Sequence, residues 1–116
     1  MSRSELGAEG ERVAERFLKS KGLKVLERNY RTRLGEIDLV CREKRTIVFV
    51  EVKTRTSGLY GEGMEAVNAR KQHKLHRLAQ QYLQSYRLES ADVRFDVLSV
   101  MFVSGEPTIE HIPGAF

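Results

Sequence analysis

Four charged residues interrupt two otherwise apolar segments near the middle of the chain. Glu36 and Asp38 lie in "GEIDLVC", and Glu51 and Lys53 lie in "TIVFVEVKT". A carboxylate buried without a partner costs free energy, so these groups need something that neutralises them. Mg²⁺ prefers oxygen ligands and commonly takes one or two carboxylates, while water and substrate phosphate complete its shell. We therefore predict that Asp38 and Glu51 bind a divalent cation, Mg²⁺ or Mn²⁺.

Side chains alternate along a strand, which predicts the face of the sheet on which each of these groups lies. In the first strand the acidic residues should point to one face, and the apolar residues to the other: Ile37, Leu39 and Cys41. In the second strand the charged pair should lie opposite the valines: Val48, Val50 and Val52. If the strands pair as a hairpin across "REKR", Asp38 and Glu51 converge on one patch.

The same hairpin would complete a site for phosphodiester hydrolysis. The backbone carbonyl of Val52 would add a third oxygen ligand, and the Lys53 ammonium would lie beside the metal-bound water or the scissile phosphate. Such a metal lowers the pKa of water, and metal and ammonium together stabilise negative charge in the transition state.

Periodic patterns around these residues predict an α/β fold with the element order αβββαββ. Apolar spacing indicates a helix from about Ser4 to Lys21, ended by Gly22, and a second helix from about Met64 to Ser85. Alternating segments predict the strands "LKVLERNY", "GEIDLVC", "TIVFVEVKT", "VRFDVLSVMFV" and an edge strand "TIEHI". The second helix should connect a parallel strand pair within a mixed sheet that the helices cover.

The composition narrows the class of protein. A length of 116 residues suits one domain, spanning residues 1–116, and no segment is apolar enough to cross a membrane. The start, "MSRSELGAEG", has no hydrophobic run for secretion, so we expect a cytoplasmic protein. A net charge of +4 and a pI near 9.4 favour a nucleic-acid partner only weakly. The single Cys41 excludes an internal disulfide and a cysteine-based zinc cluster.

Four segments together resemble a known family: "GAEGERVAERFLKSKG", "ERNYRTRLGEIDLV", "VFVEVKTR" and "VRFDVLSV". They are similar to the YraN-like family of small predicted endonucleases in the PD-(D/E)xK superfamily, whose nearest characterised relatives are the archaeal Holliday-junction resolvases. The resemblance implies a restriction-endonuclease-like fold, metal-dependent phosphodiester hydrolysis and the active-site set Glu11, Asp38, Glu51 and Lys53. Ile37 stands where the superfamily has proline, which removes no ligand. Glu11 falls about 20° from Leu18 on a helical wheel, at the rim of the apolar stripe, and would complete the metal shell.

Basic residues border the proposed site. We predict that seven of them contact nucleic acid: Arg31, Arg33, Arg55, Arg70, Lys71, Lys74 and Arg77. A run of charge on a helix is most often a solvated face, which is the competing interpretation for Arg70, Lys74 and Arg77. Lys71 lies within the apolar stripe of the second helix, so it either extends its charge past the core or points at the metal or phosphate.

The leading hypothesis is a Mg²⁺- or Mn²⁺-dependent endonuclease that hydrolyses phosphodiester bonds of DNA, including branched or junction DNA. Such enzymes frequently act as two-fold dimers, so a homodimer is one expectation. The alternative is a nucleic-acid-binding module that keeps the fold without cleaving. A third interpretation is an interaction protein in which the charged cluster is a buried ionic network. The sequence leaves DNA versus RNA open.

Overall fold

A five-stranded mixed sheet with a helix on each face forms the part of the protein described by the computed structural model, residues 2–56 and 67–116. In chain order the elements are α1 (Arg3–Ser20), β1 (Lys24–Thr32), β2 (Gly35–Glu43), β3 (Thr46–Thr56), α2 (Ala69–Ser85), β4 (Asp92–Val103) and β5 (Glu106–Ile112). This succession confirms the predicted α/β class and the order αβββαββ.

The strands lie in the sheet in the same order as in the chain, with β3 at the centre. β3 and β4 run parallel, and the other three neighbouring pairs are antiparallel. The parallel pair is the one joined through α2, as the sequence predicts, and β5 pairs with β4 as an edge strand. The central position of β3 buries its first half on both faces, which explains the unbroken run "IVFV".

Both helices begin at residues with capping side chains. Ser2 and Glu5 form a reciprocal capping box at the start of α1, and Gly22 follows its end with φ +93°. The Asn68 side chain accepts a hydrogen bond from the N–H of Lys71 and caps α2. The predicted start of α2 near Met64 is therefore wrong for residues 67 and 68, because asparagine favours the cap over the helix interior. Residues 64–66 lie outside the described residues.

Two apolar layers cover the sheet. Helix α1 packs on one face through Val13, Ala14 and Leu18. Helix α2 packs on the other face through Leu75, Leu78, Ala79 and Tyr82. Neither helix is long and apolar enough to span a bilayer within the described residues.

Candidate active site

The candidate site lies where β2 separates from β3. Their ladder runs from the Glu43–Thr46 pair to the Leu39–Val50 pair. Beyond it the N–H of Val52 donates to the side chain of Asp38, with 2.7 Å between N and Oδ2. In an extended strand the N–H and C=O of one residue point to the same edge, so the carbonyl of Val52 also faces this fork. The hairpin therefore brings the side chain of Asp38 to the β3 backbone at Val52, beside Glu51.

The backbone of β2 changes face beside Asp38. Ile37 packs in the layer beneath α2, whereas Leu39 and Cys41 pack in the layer beneath α1. The prediction that these three apolar residues share one face is thus wrong for Ile37. The physical reason is that the Asp38 carboxylate takes the hydrogen bond that a regular ladder would give to a backbone carbonyl, so regular alternation breaks there. At the fork, the point beyond the Leu39–Val50 pair where β2 and β3 separate, side chains from both faces of the sheet can therefore meet.

Glu51 is buried at this fork and contacts two lysines. Its side chain is 6% exposed, and its Oε2 lies 2.5 Å from the Lys71 ammonium and 3.8 Å from that of Lys53. Lys71 comes from the first turn of α2. Of the two alternatives for Lys71, the structure shows the one in which the side chain reaches the carboxylates.

Asp38 and Glu51 have pKa values displaced in opposite directions. Burial, together with the hydrogen bond and negative charge of Glu51, holds the pKa of Asp38 well above its usual range. Burial alone would raise the pKa of Glu51, but hydrogen bonds with Asp38 and Lys71 outweigh it and keep that pKa low. The environment thus favours the charged form of Glu51 and disfavours that of Asp38, as happens when two carboxyl groups lie close together.

The pKa values of Lys53 and Lys71 are also shifted in opposite directions. Burial and the neighbouring Lys71 lower the pKa of Lys53. Burial opposes the charge of Lys71 as well, but its contact with Glu51 prevails and raises the pKa of Lys71. Lys71 therefore remains the firmly charged member of the pair.

Glu11 reaches the fork because α1 approaches β3 closely. A Cβ atom on Gly10 would lie 1.9 Å from Oγ1 of Thr54, so only glycine permits this distance between helix and strand. One oxygen each of Glu11, Glu36 and Asp38 lies within 4.8 Å of the others. Glu11 is thus brought to the site as the resemblance implies. Glu36 is an addition to the predicted site, and its spacing of two residues from Asp38 was the signal for it.

The seven basic residues predicted to contact nucleic acid lie on different parts of the surface. Arg31 forms an ion pair with Glu36 and borders the acidic cluster, and Arg33 is exposed in the turn between β1 and β2. A concavity of about 600 Å³ beside that turn is lined by Leu34, Asn68, Arg70, Lys71, His73, Lys74 and Arg77. The α2 residues therefore form one basic surface that ends at Lys71. Arg55 instead lines a separate concavity with Arg3, Leu6 and Gly7 of α1.

Several bacterial proteins are similar to this chain over nearly its whole length. The family model for the uncharacterised protein family UPF0102 matches residues 10–100. UPF0102 proteins of Alkaliphilus oremlandii and Geobacter metallireducens are each 50% identical to the chain, over 113 and 111 residues that cover 96% of it and 97% and 91% of the relatives. A UPF0102 protein of Alkaliphilus metalliredigens is 47% identical over 116 residues and 100% of both chains. The chain therefore belongs to the uncharacterised protein family UPF0102, which confirms the YraN-like resemblance at the level of the family.

Proposed function

We propose that this protein is a metal-dependent endonuclease that hydrolyses phosphodiester bonds in DNA. The observation that carries the proposal is the meeting of Asp38, Glu51 and Lys53 at the fork between β2 and β3. Membership of the PD-(D/E)xK superfamily, with its Holliday-junction-resolvase-like enzymes, is part of the proposal and rests on the sequence motifs. The positions of Glu11 and Lys71 support it, since both converge on the same carboxylates.

The donor set at the fork fits Mg²⁺ or Mn²⁺. Asp38, Glu51, Glu11 and the Val52 carbonyl all offer hard oxygen atoms, and a cation would favour the charged form of Asp38, which burial and Glu51 disfavour. When bound, the ion supplies Lewis-acid activation of water and of the phosphate.

The lysines have separate roles in this proposal. Lys53 lies farther from Glu51 than Lys71 does, so it is assigned to orienting the attacking water. Lys71 stays charged and offsets the negative charge that develops on the phosphate. Lys71 is thereby assigned to the reaction as well as to nucleic-acid contact.

The basic surface along α2 positions the substrate. Its exposed cations lead from the β1–β2 turn to the ammonium of Lys71, so a phosphate backbone laid along it reaches the acidic fork. A two-fold substrate such as a DNA junction would be met by a homodimer.

The test is cleavage of branched, flapped, nicked and single-stranded DNA in Mg²⁺ and in Mn²⁺. Asp38→Asn should reduce the rate at least about 100-fold, the scale on which loss of a preorganised charge acts. Asp92→Asn, which changes an exposed carboxylate at the start of β4, is the matched control and should cleave like the parent. Equal activity in the parent and Asp38→Asn would mean that the cleavage comes from a contaminant.

A second candidate is a binding module with the same fold and no cleavage. The observation that favours it is that the basic surface of α2 is largely exposed and does not depend on a cation. This alternative predicts salt-sensitive DNA binding that persists in chelator and survives Lys53→Ala. The nuclease predicts that chelator abolishes turnover.

A further inference from the structure

Asn29 has an unusual backbone conformation for the middle of a strand. It lies in β1 opposite Asp38, between the Arg28–Leu39 and Tyr30–Ile37 pairs, and its φ is +51°. This left-handed region is open to glycine and is tolerated by asparagine, but it is strained for most other residues. The conformation brings the Asn29 amide to the acidic cluster.

The Asn29 amide joins carboxylates from two different elements. Its Nδ2 donates to Oε1 of Glu11 on α1 at 3.2 Å and to Oε1 of Glu36 on β2 at 3.4 Å. Both acceptors belong to the set whose oxygens lie within 4.8 Å of one another and of Asp38. A single side chain thus fixes where two of the three carboxylates lie.

The neutrality of this donor is what suits it to a cation site. A lysine or arginine at this position would offset the negative charge of Glu11 and Glu36 and compete with a metal ion. An amide orients the oxygens and leaves their charge intact, as hydrogen-bonding partners of metal ligands do. Arg31 pairs with the other oxygen of Glu36 and offsets its charge, so the charge that the Asn29 amide leaves intact is chiefly that of Glu11.

We infer that Asn29 is a positioning residue, which holds Glu11 and Glu36 in place for a divalent cation bound beside Asp38. This inference rests on the proposed function, because it assumes that the fork binds a cation. It adds Glu36 and Asn29 to the site, and it assigns Asn29 no contact with the substrate.

The test compares Asn29→Gly with the parent by titrating the intact protein with Mn²⁺, followed by calorimetry or electron paramagnetic resonance. Glycine keeps the left-handed backbone and removes the amide, so the fold should persist with a melting temperature within about 3 °C of the parent. Mn²⁺ affinity should fall about 10-fold or more, the usual cost of losing such a partner. Asn29→Ala should lose the same affinity and in addition melt several degrees lower.

A double variant separates positioning from general damage. If Asn29 acts through Glu11, the affinity loss of Asn29→Gly with Glu11→Gln should be smaller than the sum of the two single losses. Additive losses, or an Asn29→Gly affinity within twofold of the parent, would overturn the inference and leave the proposed function standing. A parent that binds no Mn²⁺ would overturn both.

Discussion

Asp96 and Asp38 lie in the same sheet, and their pKa values are shifted in opposite directions. Asp96 on β4 is fully buried, and it accepts two hydrogen bonds from Arg94, at 2.8 and 2.9 Å, and one from the N–H of Gly114 at 3.1 Å. The ring Nε2 of His111 lies 2.8 Å from the same carboxylate. Asp38 on β2 has the N–H of Val52 and a second carboxyl group, that of Glu51.

The partners of each aspartate explain the direction in which its pKa is shifted. Burial would raise the pKa of Asp96, but Arg94, His111 and Gly114 outweigh it and keep that pKa low. Burial and Glu51 together raise the pKa of Asp38. Asp96 is contacted directly by a guanidinium and by further hydrogen-bond donors, whereas at the Asp38 pair the lysines contact Glu51 and Asp38 itself has the N–H of Val52. A buried carboxylate indicates a ligand site when its neighbours do not neutralise it, and a structural role when they do.

The largest effect should come from breaking the neutralised site. Asp96→Ala removes the fully buried carboxylate that pairs with the half-buried Arg94 and accepts from the N–H of Gly114, and it should cost about 3–5 kcal/mol in the free energy of unfolding. Near pH 4, where the raised pKa of Asp38 has not yet cost stability, Asp38→Asn should change the free energy of unfolding by less than about 1 kcal/mol. Urea unfolding measures both. Equal losses would show that both sites serve stability alike.

Gly10→Ala should have the next largest effect, because its Cβ meets the Thr54 side chain. We expect a loss of about 1–3 kcal/mol from overpacking, together with weaker Mn²⁺ binding as α1 moves Glu11 away. Gly7→Ala is the matched control in the same helix, where a Cβ meets no atom of the described residues within 4 Å. It should stabilise the protein by about 0.5–1 kcal/mol, the helix propensity of alanine over glycine. Thermal melts and Mn²⁺ titrations of both variants test this, and identical behaviour of the two would contradict the close-approach argument.

The pH dependence of stability should distinguish the two aspartates. Asp96, with its lowered pKa, stabilises the fold above the ordinary pKa of aspartate, and that contribution is lost as pH falls through its folded value. Asp38, with its raised pKa, binds a proton more tightly when folded, so its contribution is lost as pH rises from the ordinary value toward its folded pKa. In chelator, Asp38→Asn should flatten the decline of stability above about pH 5, by up to about 1.4 kcal/mol per pH unit. Parallel pH curves for the parent and Asp38→Asn, measured by urea unfolding, would refute this assignment.

The smallest expected effect concerns the exposed basic surface. If Arg77 contacts a phosphate, Arg77→Gln should reduce the slope of log affinity against log salt by about 0.9 on duplex DNA. Arg45→Gln, in the turn at the far end of the hairpin, is the control and should leave the slope unchanged. Fluorescence anisotropy at several salt concentrations gives both slopes, and equal slopes for the two variants would favour a merely solvated face for Arg77.

Much of the fold was predictable because helices and strands depend on periodicity, and the hairpin then indicated which charged residues would lie near one another. The hairpin across "REKR" brought Asp38 and Glu51 close together, one position beyond its last ladder pair, Leu39–Val50. Lys71 was noticeable because a cation interrupts an apolar stripe. The face change between Ile37 and Leu39 was not predictable, because it follows from a side chain taking a backbone hydrogen bond.

Asn29 was missed for a similar reason. Its role depends on a left-handed φ and on contacts with Glu11 and Glu36, 18 residues before it and 7 after it in the chain. Nothing in the periodicity of "ERNYRT" distinguishes this asparagine from a polar residue on an exposed strand. The hydrogen bond between Asn29 and Glu11 depends on how α1 packs on the sheet, which local sequence patterns do not specify.

The charged groups at the fork come together only as folding is completed. They come from α1, β2, β3 and α2, and the last of these, Lys71, lies 60 positions after Glu11 in the chain. A ribosome-bound chain that has emerged only through β3 can close the hairpin, yet it lacks the ammonium that faces Glu51. The complete set of charged groups therefore forms late in synthesis, after α2 has packed against the sheet.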